Sequence, residues 1–253
     1  MRIIIYNSSS FGGCFDYGKA LHQAYALHPE VENVEWWLPK NSSVEESRGV
    51  RKLFIRDRPF FSGKLGRQIH FLYRILFNPI RLLLRLRAQP DSWVILNDFE
   101  QLTAFLWVPL FQNLLKHKHR FSILLHDPDR DAYPPSKRFS SHSMAQIMSL
   151  MDIGIYHDFL PDKIYYKKNL LCRYVDLPHG FYQIPKPDAT LEKSLLDYRK
   201  AETTIMAILG NIREEKNYHL AIAALPHLPN HILLIAGSAS NARINLHQYK
   251  NQA

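Results

Sequence analysis

Cysteine is nearly absent from this chain: Cys14 and Cys172 are the only two in 253 residues. They lie far apart and neither belongs to a Cys-x-x-Cys pair, so they read as reduced thiols, and a structural disulfide is not expected. No stretch of about 18 uncharged apolar residues exists, which excludes a transmembrane helix of ordinary length. The opening run Met1-Arg2-Ile3-Ile4-Ile5-Tyr6 is too short for a signal peptide and reads as a buried strand. Internal repeats and low-complexity tracts are also missing. With 46% hydrophobic and 22% charged residues, the chain has ample material for a packed core, as one large domain or one and a half ordinary ones. The expected location is the cytoplasm.

Acidic residues are missing from one long segment. Between Arg48 and Pro90 stand eleven Lys or Arg against a single acid, Asp57. That segment carries +10 of a formal net charge of +9, which leaves the other residues at −1. The basicity is local and needs a local explanation. Within the segment, Arg67, Arg74 and Arg81 recur every seven residues and Arg85 follows one turn later, so they line one helical face. Ile69, Leu72, Tyr73, Leu76, Phe77, Ile80, Leu83, Leu84 and Leu86 supply an apolar side, with a bend expected at Pro79. Two readings follow. In one, a crossover helix packs most of that apolar face on a sheet and solvates its arginines. In the other, the segment Arg48–Arg87 lies on an anionic membrane surface, placing the protein at the inner membrane face. Nucleic acid is the weaker partner, because no recognised binding motif accompanies the patch.

Apolar β-rich runs alternate with helical patterns, as expected of βαβ units and a parallel sheet. The spacing predicts strands at Arg2–Tyr6, Val34–Leu38, Leu53–Ile55, Trp93–Leu96, Phe121–Leu125, Ile153–Tyr156 and Arg173–Val175. Helices are predicted at Tyr17–Leu27, Lys64–Arg87, Gln101–Lys116 and Ser141–Leu150. The proline-rich stretch 178–188 reads as a linker. Beyond it the pattern restarts with a helix at Leu191–Lys200, a strand at Thr204–Leu209, a helix at Tyr218–Leu225 and a strand at Ile232–Ala236. About 65 residues follow the linker, whereas a second α/β lobe needs on the order of 100 to close its own core. The expectation is a fragment, or a lobe whose sheet is completed by a partner.

The segment Ile208–Leu225 carries the strongest chemical signal. A strand leads into Gly210, then Arg213 and Lys216 three apart, then a helix start. Amides at a helix N-terminus favour an anion, and an Arg with a Lys adds bidentate and point-charge contacts to a diphosphate. The same residues also read as a solvated βα loop in which Arg213 and Lys216 offset Glu214 and Glu215. Gly12 and Gly13, with Gly18 beyond, do not form Gly-x-Gly-x-x-Gly, so a dinucleotide cofactor is a weak reading. Their permissive backbone would let that loop approach an acceptor or a phosphate, or simply make a βα turn. His126 falls where a strand meets a loop, a position at which parallel sheets place ligand contacts; it also reads as a loop histidine without a role.

The run Gly-x-Ile-Arg-x-x-Lys-Asn from Gly210 to Asn217, followed by a helix and Ile232-Leu233-Leu234-Ile235-Ala236-Gly237-Ser238, resembles the opening of the donor domain of retaining glycosyltransferases with the two-lobed GT-B architecture, family four and its relatives. Three further pieces fit in order: Ser8-Ser9-Ser10-Phe11-Gly12-Gly13 resembles the family's first glycine loop, His126 its active-site histidine, and Pro178–Tyr182 the segment joining the lobes. The resemblance implies an α/β fold of two Rossmann-like lobes, with the second incomplete. Residues 1–177 would form the acceptor lobe, 178–188 the linker and 189–253 a partial nucleotide-sugar lobe. It implies that Gly210, Arg213 and Lys216 hold the donor diphosphate, that His126, Arg213 and Lys216 are catalytic, and that Gly12 and Gly13 form the acceptor-side cleft loop. The substrates would be a nucleotide-sugar donor and a glycan or lipid-linked acceptor, with no cofactor and no metal. Asp127-Pro128-Asp129 and Asp129-Arg130-Asp131 have the Asp-x-Asp spacing of metal sites in other sugar transferases, but two-lobed enzymes generally use Arg and Lys in place of a metal. The family's donor lobe continues into a pair of glutamates that this sequence does not reach. The alternative reading is an inactive truncated lobe that binds anionic membrane or phosphate ligands through its basic segment.

Overall fold

The structure is a computed structural model that describes residues 1–59, 63–131, 136–179, 193, 196, 203–210 and 216–237. The chain divides into two compact units, Met1–Tyr182 and Gln183–Ala253.

The first unit is an α/β fold of Rossmann-like form. Its strands are β1 (Arg2–Tyr6), β2 (Asn33–Pro39), β3 (Val50–Phe54), β4 (Trp93–Leu96), β5 (Arg120–Leu125), β6 (Ile153–Tyr156) and β7 (Arg173–Asp176). All pair in parallel, in the order β3-β2-β1-β4-β5-β6-β7. The order reverses between β1 and β4, so the loops leaving those two strands diverge to opposite sides and open a crevice at their carboxyl ends. Helices α1 (Gly13–Ala26), α2 (Lys64–Arg87), α3 (Ala104–Leu114), α4 (Lys137–Leu150) and the single turn α5 (Ile164–Lys167) complete the unit.

Strand alternation sorts the core onto two faces. Ile4, Tyr6 and Trp37 point into one cluster with Leu82, Leu86, Trp107, Phe111 and Met144 from α2, α3 and α4. Ile3, Ile5 and Trp36 point the other way, towards Phe15 and Tyr17 of α1. A sheet covered on both faces needs apolar side chains at successive positions, which is why β1 is an unbroken apolar run after Arg2. Glu35 on β2 is a charged exception. Its buried carboxylate accepts from Arg2 at 2.7 Å and Trp37 Nε1 at 2.8 Å, and pairs with Arg51 Nε at 2.9 Å. Burial pushes its pKa up, but these hydrogen bonds and the two guanidinium charges outweigh it and hold the carboxyl below its ordinary value.

Several elements depart from the sequence expectation for physical reasons. The third strand starts at Val50, opposite Trp36, and not at Leu53; as a sheet edge it tolerates Arg51 and Lys52, whose charge hides it in the sequence. Helix α1 begins four residues before the expected Tyr17. Gly12, at φ +82°, turns the chain directly into it. Helix α4 begins at Lys137, ahead of the expected Ser141, because Ser136 Oγ accepts from Phe139 N at 3.2 Å and caps it. A 3-10 turn at Gln101–Thr103 precedes α3.

Helix α2 has the predicted bounds and runs through Pro79. A proline there removes the N–H that would bond the carbonyl four residues earlier, Ile75. Thr103 Oγ1 donates to that carbonyl instead, at 2.7 Å. The side of α2 expected to pack on the sheet does not do so as a whole. The buried side is built from His70, Ile75, Asn78, Pro79, Leu82, Leu83 and Leu86. Ile69, Leu72, Tyr73, Leu76, Phe77, Ile80 and Leu84 remain exposed. The helix is therefore apolar on two sides, and the sequence does not say which of them meets the sheet.

The second unit, as far as it is described, has parallel strands β8 (Thr204–Leu209) and β9 (His231–Ala236), paired from Thr204↔His231 to Leu209↔Ala236. Helix α6 (Tyr218–Ala224) buries Tyr218 and Ile222 against Ile208, Leu233 and Ile235. Of the expected helix Leu191–Lys200 only residues 193 and 196 are described, both helical. Most of the linker 178–188 lies outside the described residues.

Candidate functional site

Four adjacent strands of the first unit each end one residue before a polar side chain: Asn7 after β1, Asn97 after β4, His126 after β5 and His157 after β6. The first three are joined by hydrogen bonds. Trp36 Nε1 donates to Asn7 Oδ1 at 2.9 Å, and Asn97 Nδ2 donates to the same oxygen at 2.9 Å. Asn97 Nδ2 also reaches the Cys14 carbonyl at 2.5 Å. Asn97 Oδ1 then lies 3.0 Å from His126 Nε2. Asn7 and Asn97 are fully buried, and their packing depends on Gly18 of α1. A Cβ there would lie 2.9 Å from Asn97 Nδ2 and closer still to Asn7 Oδ1. Gly18 is thus a close-approach position against the asparagine pair, not part of a phosphate fingerprint.

Aromatic packing completes the cluster. The Tyr17 ring sits 4.9 Å from His126, 5.1 Å from His157 and 5.5 Å from His179, and the two latter histidines are 4.8 Å apart. Burial, followed by the charges of His157, His179 and Arg130, depresses the His126 pKa to about 4. His126 is therefore a neutral imidazole at physiological pH, able to accept a hydrogen bond but not to act as a proton donor in acid form. His157 Nδ1 lies 2.6 Å from the Leu177 carbonyl, and its Nε2 is buried with no hydrogen-bond partner among the described residues.

The loop after β1 is held by carboxylates. The amides of Ser8 and Ser9 and the Ser9 hydroxyl donate to Asp98; the Ser9 bonds are 3.0 and 2.6 Å. The Ser10 amide and hydroxyl donate to Asp57 at 2.6 and 2.8 Å, and Asn41 Nδ2 donates to Asp57 at 2.6 Å. Three amides that a phosphate would need are thus already occupied by negative oxygens. At the end of the loop, nothing lies within 4 Å of where a Cβ would stand on Gly12 or Gly13, so that stretch of backbone is open to an approaching molecule.

Beneath the loop, Tyr6 donates to Glu100 Oε1 at 2.6 Å. Desolvation, with the Asp98 charge adding to it, raises the Glu100 pKa to about 7, while desolvation alone leads the upward shift of Asp98. Desolvation likewise lifts the Cys14 and Cys172 thiols to about 11, and both cysteines are free. They are unreactive thiols near neutral pH.

Asp129 and Asp131, in the loop after His126, are engaged in ion pairs. Lys163 Nζ lies 3.1 Å from Asp129 Oδ1 and 2.8 Å from Asp131 Oδ2. Among the described residues no group of three or more His, Cys, Asp or Glu is placed to hold a metal ion.

In the second unit, Gly210 follows β8 with φ +92°, and Lys216 Nζ folds back to donate to the Leu209 carbonyl. A Cβ on Gly210 would stand 3.2 Å from that ammonium. The glycine thus supplies both the left-handed turn and the room for Lys216 at the carboxyl end of β8. Arg213 lies outside the described residues.

The structure brings His126 together with Tyr17, Asn97, His157 and His179, none of which stood out in the sequence as site residues. A polar residue directly after an apolar strand was the available signal at Asn7, Asn97 and His157. Compared with known proteins, the chain matches no protein-family model and no curated protein.

Proposed function

We propose that the chain belongs to a glycosyltransferase that moves a sugar from a nucleotide-sugar donor to a carbohydrate or lipid-linked acceptor, its two units being lobes of the GT-B kind. The observation that carries this reading is the seat of Lys216: its ammonium is held over Gly210 at the carboxyl end of β8, where a parallel sheet presents its ligand-facing loops. In this reading Lys216 and Arg213 stabilise the charge that develops on the departing diphosphate, the main electrostatic demand of the reaction. The first unit offers His126, whose neutral imidazole accepts a hydrogen bond from a sugar hydroxyl without adding positive charge. The open backbone at Gly12 and Gly13 suits approach of the acceptor. The occupied amides of Ser8, Ser9 and Ser10 favour a neutral acceptor group there over a phosphate.

Calorimetric titration with UDP- and GDP-sugars, followed by a transfer assay with those that bind, tests the proposal. Arg213→Ala and Lys216→Ala should each weaken donor binding by about tenfold or more, the loss expected for a charge-assisted hydrogen bond. Unchanged donor affinity in both variants would sink the assignment.

A further inference from the structure

Helix α2 presents a second apolar side that nothing in the described chain covers. Leu65, Ile69, Leu72, Leu76 and Ile80 recur three or four residues apart and are 39–69% exposed. Phe105, Leu106 and Leu110 of the adjoining α3 are 42–48% exposed. Scattered exposed apolar residues are ordinary; a stripe along a helix of about 36 Å, with further exposed apolar residues on the adjoining helix, marks an interaction surface.

The charges carried by the same helix identify what the stripe meets. Neither α2 nor α3 contains an acidic residue. Some cations of the basic segment have tasks within the fold: Arg51 pairs with Glu35, Arg81 donates to the Leu53 carbonyl at 3.4 Å, and Arg74 packs over Phe71. Lys64, Arg67, Arg85 and Arg87 have no acidic partner among the described residues. Arg87 stands seven residues after Ile80 and so continues the exposed stripe. A second copy of the chain is a poor occupant. A two-fold contact sets the same patch against itself, leaving arginine facing arginine with no carboxylate from either helix. An anionic bilayer surface supplies both requirements at once, hydrocarbon for the leucines and phosphates for the cations. No described helix is long and apolar enough to cross a membrane, so the contact is in the plane of the surface.

We infer that the exposed face of α2 and α3 docks on the surface of an anionic lipid bilayer, with the Leu65–Ile80 stripe inserted, Arg87 in line with it, and Lys64, Arg67 and Arg85 on the polar side of the helix, reaching the headgroups from above. This inference is independent of sugar transfer, because it uses no residue assigned to that chemistry.

Flotation of the full chain with vesicles of phosphatidylcholine, alone or mixed with phosphatidylglycerol, tests it. Strong partition onto the mixed vesicles is expected, with weak partition onto the neutral ones and release as salt rises. Arg67→Gln and Arg85→Gln should each lower partition about fivefold. The double variant Leu72→Ser/Leu76→Ser should lower it at least about tenfold. Circular dichroism unchanged from the parent chain would show that these exposed substitutions leave the fold intact. Equal partition onto neutral and anionic vesicles, or partition insensitive to the serine pair, would overturn the proposal. So would self-association that the serine pair abolishes, in a chain that does not bind the mixed vesicles.

Discussion

Asn97 fixes the tautomer of His126, and the Asn97 amide is itself oriented twice, by the Cys14 carbonyl and by Asn7 beneath the indole of Trp36. An indole N–H can only donate, so the atom of Asn7 facing it is the carbonyl oxygen. That oxygen then calls for the amide nitrogen of Asn97, which turns the Asn97 oxygen towards His126 Nε2. His126 therefore carries its hydrogen on Nε2 and keeps its lone pair on Nδ1. The orientation of Asn97, just after β4, thus decides which nitrogen of His126, just after β5, is left to accept.

Replacing Trp36 with Phe removes one of the two groups that orient this chain of bonds; the Cys14 carbonyl is the other. The nitrogen-15 spectrum of His126 should show a single Nε2–H tautomer in the parent protein, and the same tautomer in Trp36→Phe, because the Cys14 carbonyl still holds the Asn97 amide. Stability should fall by about 1 kcal/mol for the lost hydrogen bond. A parent spectrum that shows both tautomers would dismiss the relay.

His126 and Glu100 give opposite dependences of stability on pH. The folded His126 pKa, about 4, is below the unfolded value of 6.5, so the unfolded chain binds the extra proton between them. That contribution is complete above 6.5 and is lost as pH falls towards 4. The folded Glu100 pKa, about 7, is above its unfolded value of 4.5, so its contribution is complete below 4.5 and is lost as pH rises to 7. Each is on the order of 3 kcal/mol. In Glu100→Gln, where the amide oxygen can still accept from Tyr6, the histidine slope should stand out: denaturant midpoints rising from pH 4 to 6.5 and level above. A Glu100→Gln profile parallel to that of the parent would show that Glu100 titrates normally.

Gly18→Ala places a methyl group against two fully buried asparagine side chains that cannot move without breaking the relay. Overpacking of this kind costs about 1–3 kcal/mol. The control is Gly13→Ala, which meets nothing within 4 Å and should leave the urea midpoint almost unchanged. Equal effects of the two substitutions would mean that the close approach at Gly18 is not what the position demands.

Thr103→Val keeps the shape of the side chain and removes the hydroxyl that bonds the Ile75 carbonyl. The carbonyl is then left with neither the N–H missing at Pro79 nor a substitute, at a cost of about 1–3 kcal/mol. Adding Pro79→Ala to Thr103→Val restores an N–H to the helix and should recover part of that loss. Non-recovery would show that the threonine acts elsewhere.

The sequence by itself determined the layered α/β character and the bounds of several elements. β1, β4, β6 and β8 are short apolar runs with polar ends, and α2 is a long periodic stretch, so local pattern was enough to place them. It also marked His126 and Gly210 as positions where a strand meets a loop. Only the tertiary structure decided which of the two apolar sides of α2 packs inward, because periodicity reports a face and not its partner. It decided too that Gly18 serves buried asparagines, that Lys163 engages Asp129 and Asp131, and that His126 is neutral and held in one tautomer. Each of these depends on residues distant in sequence and adjacent in the sheet. Trp36, Asn7, Asn97 and His126 come from four different strands or strand ends. Pairing those strands in the order β2-β1-β4-β5 sets the four side chains side by side, an arrangement that no local pattern encodes.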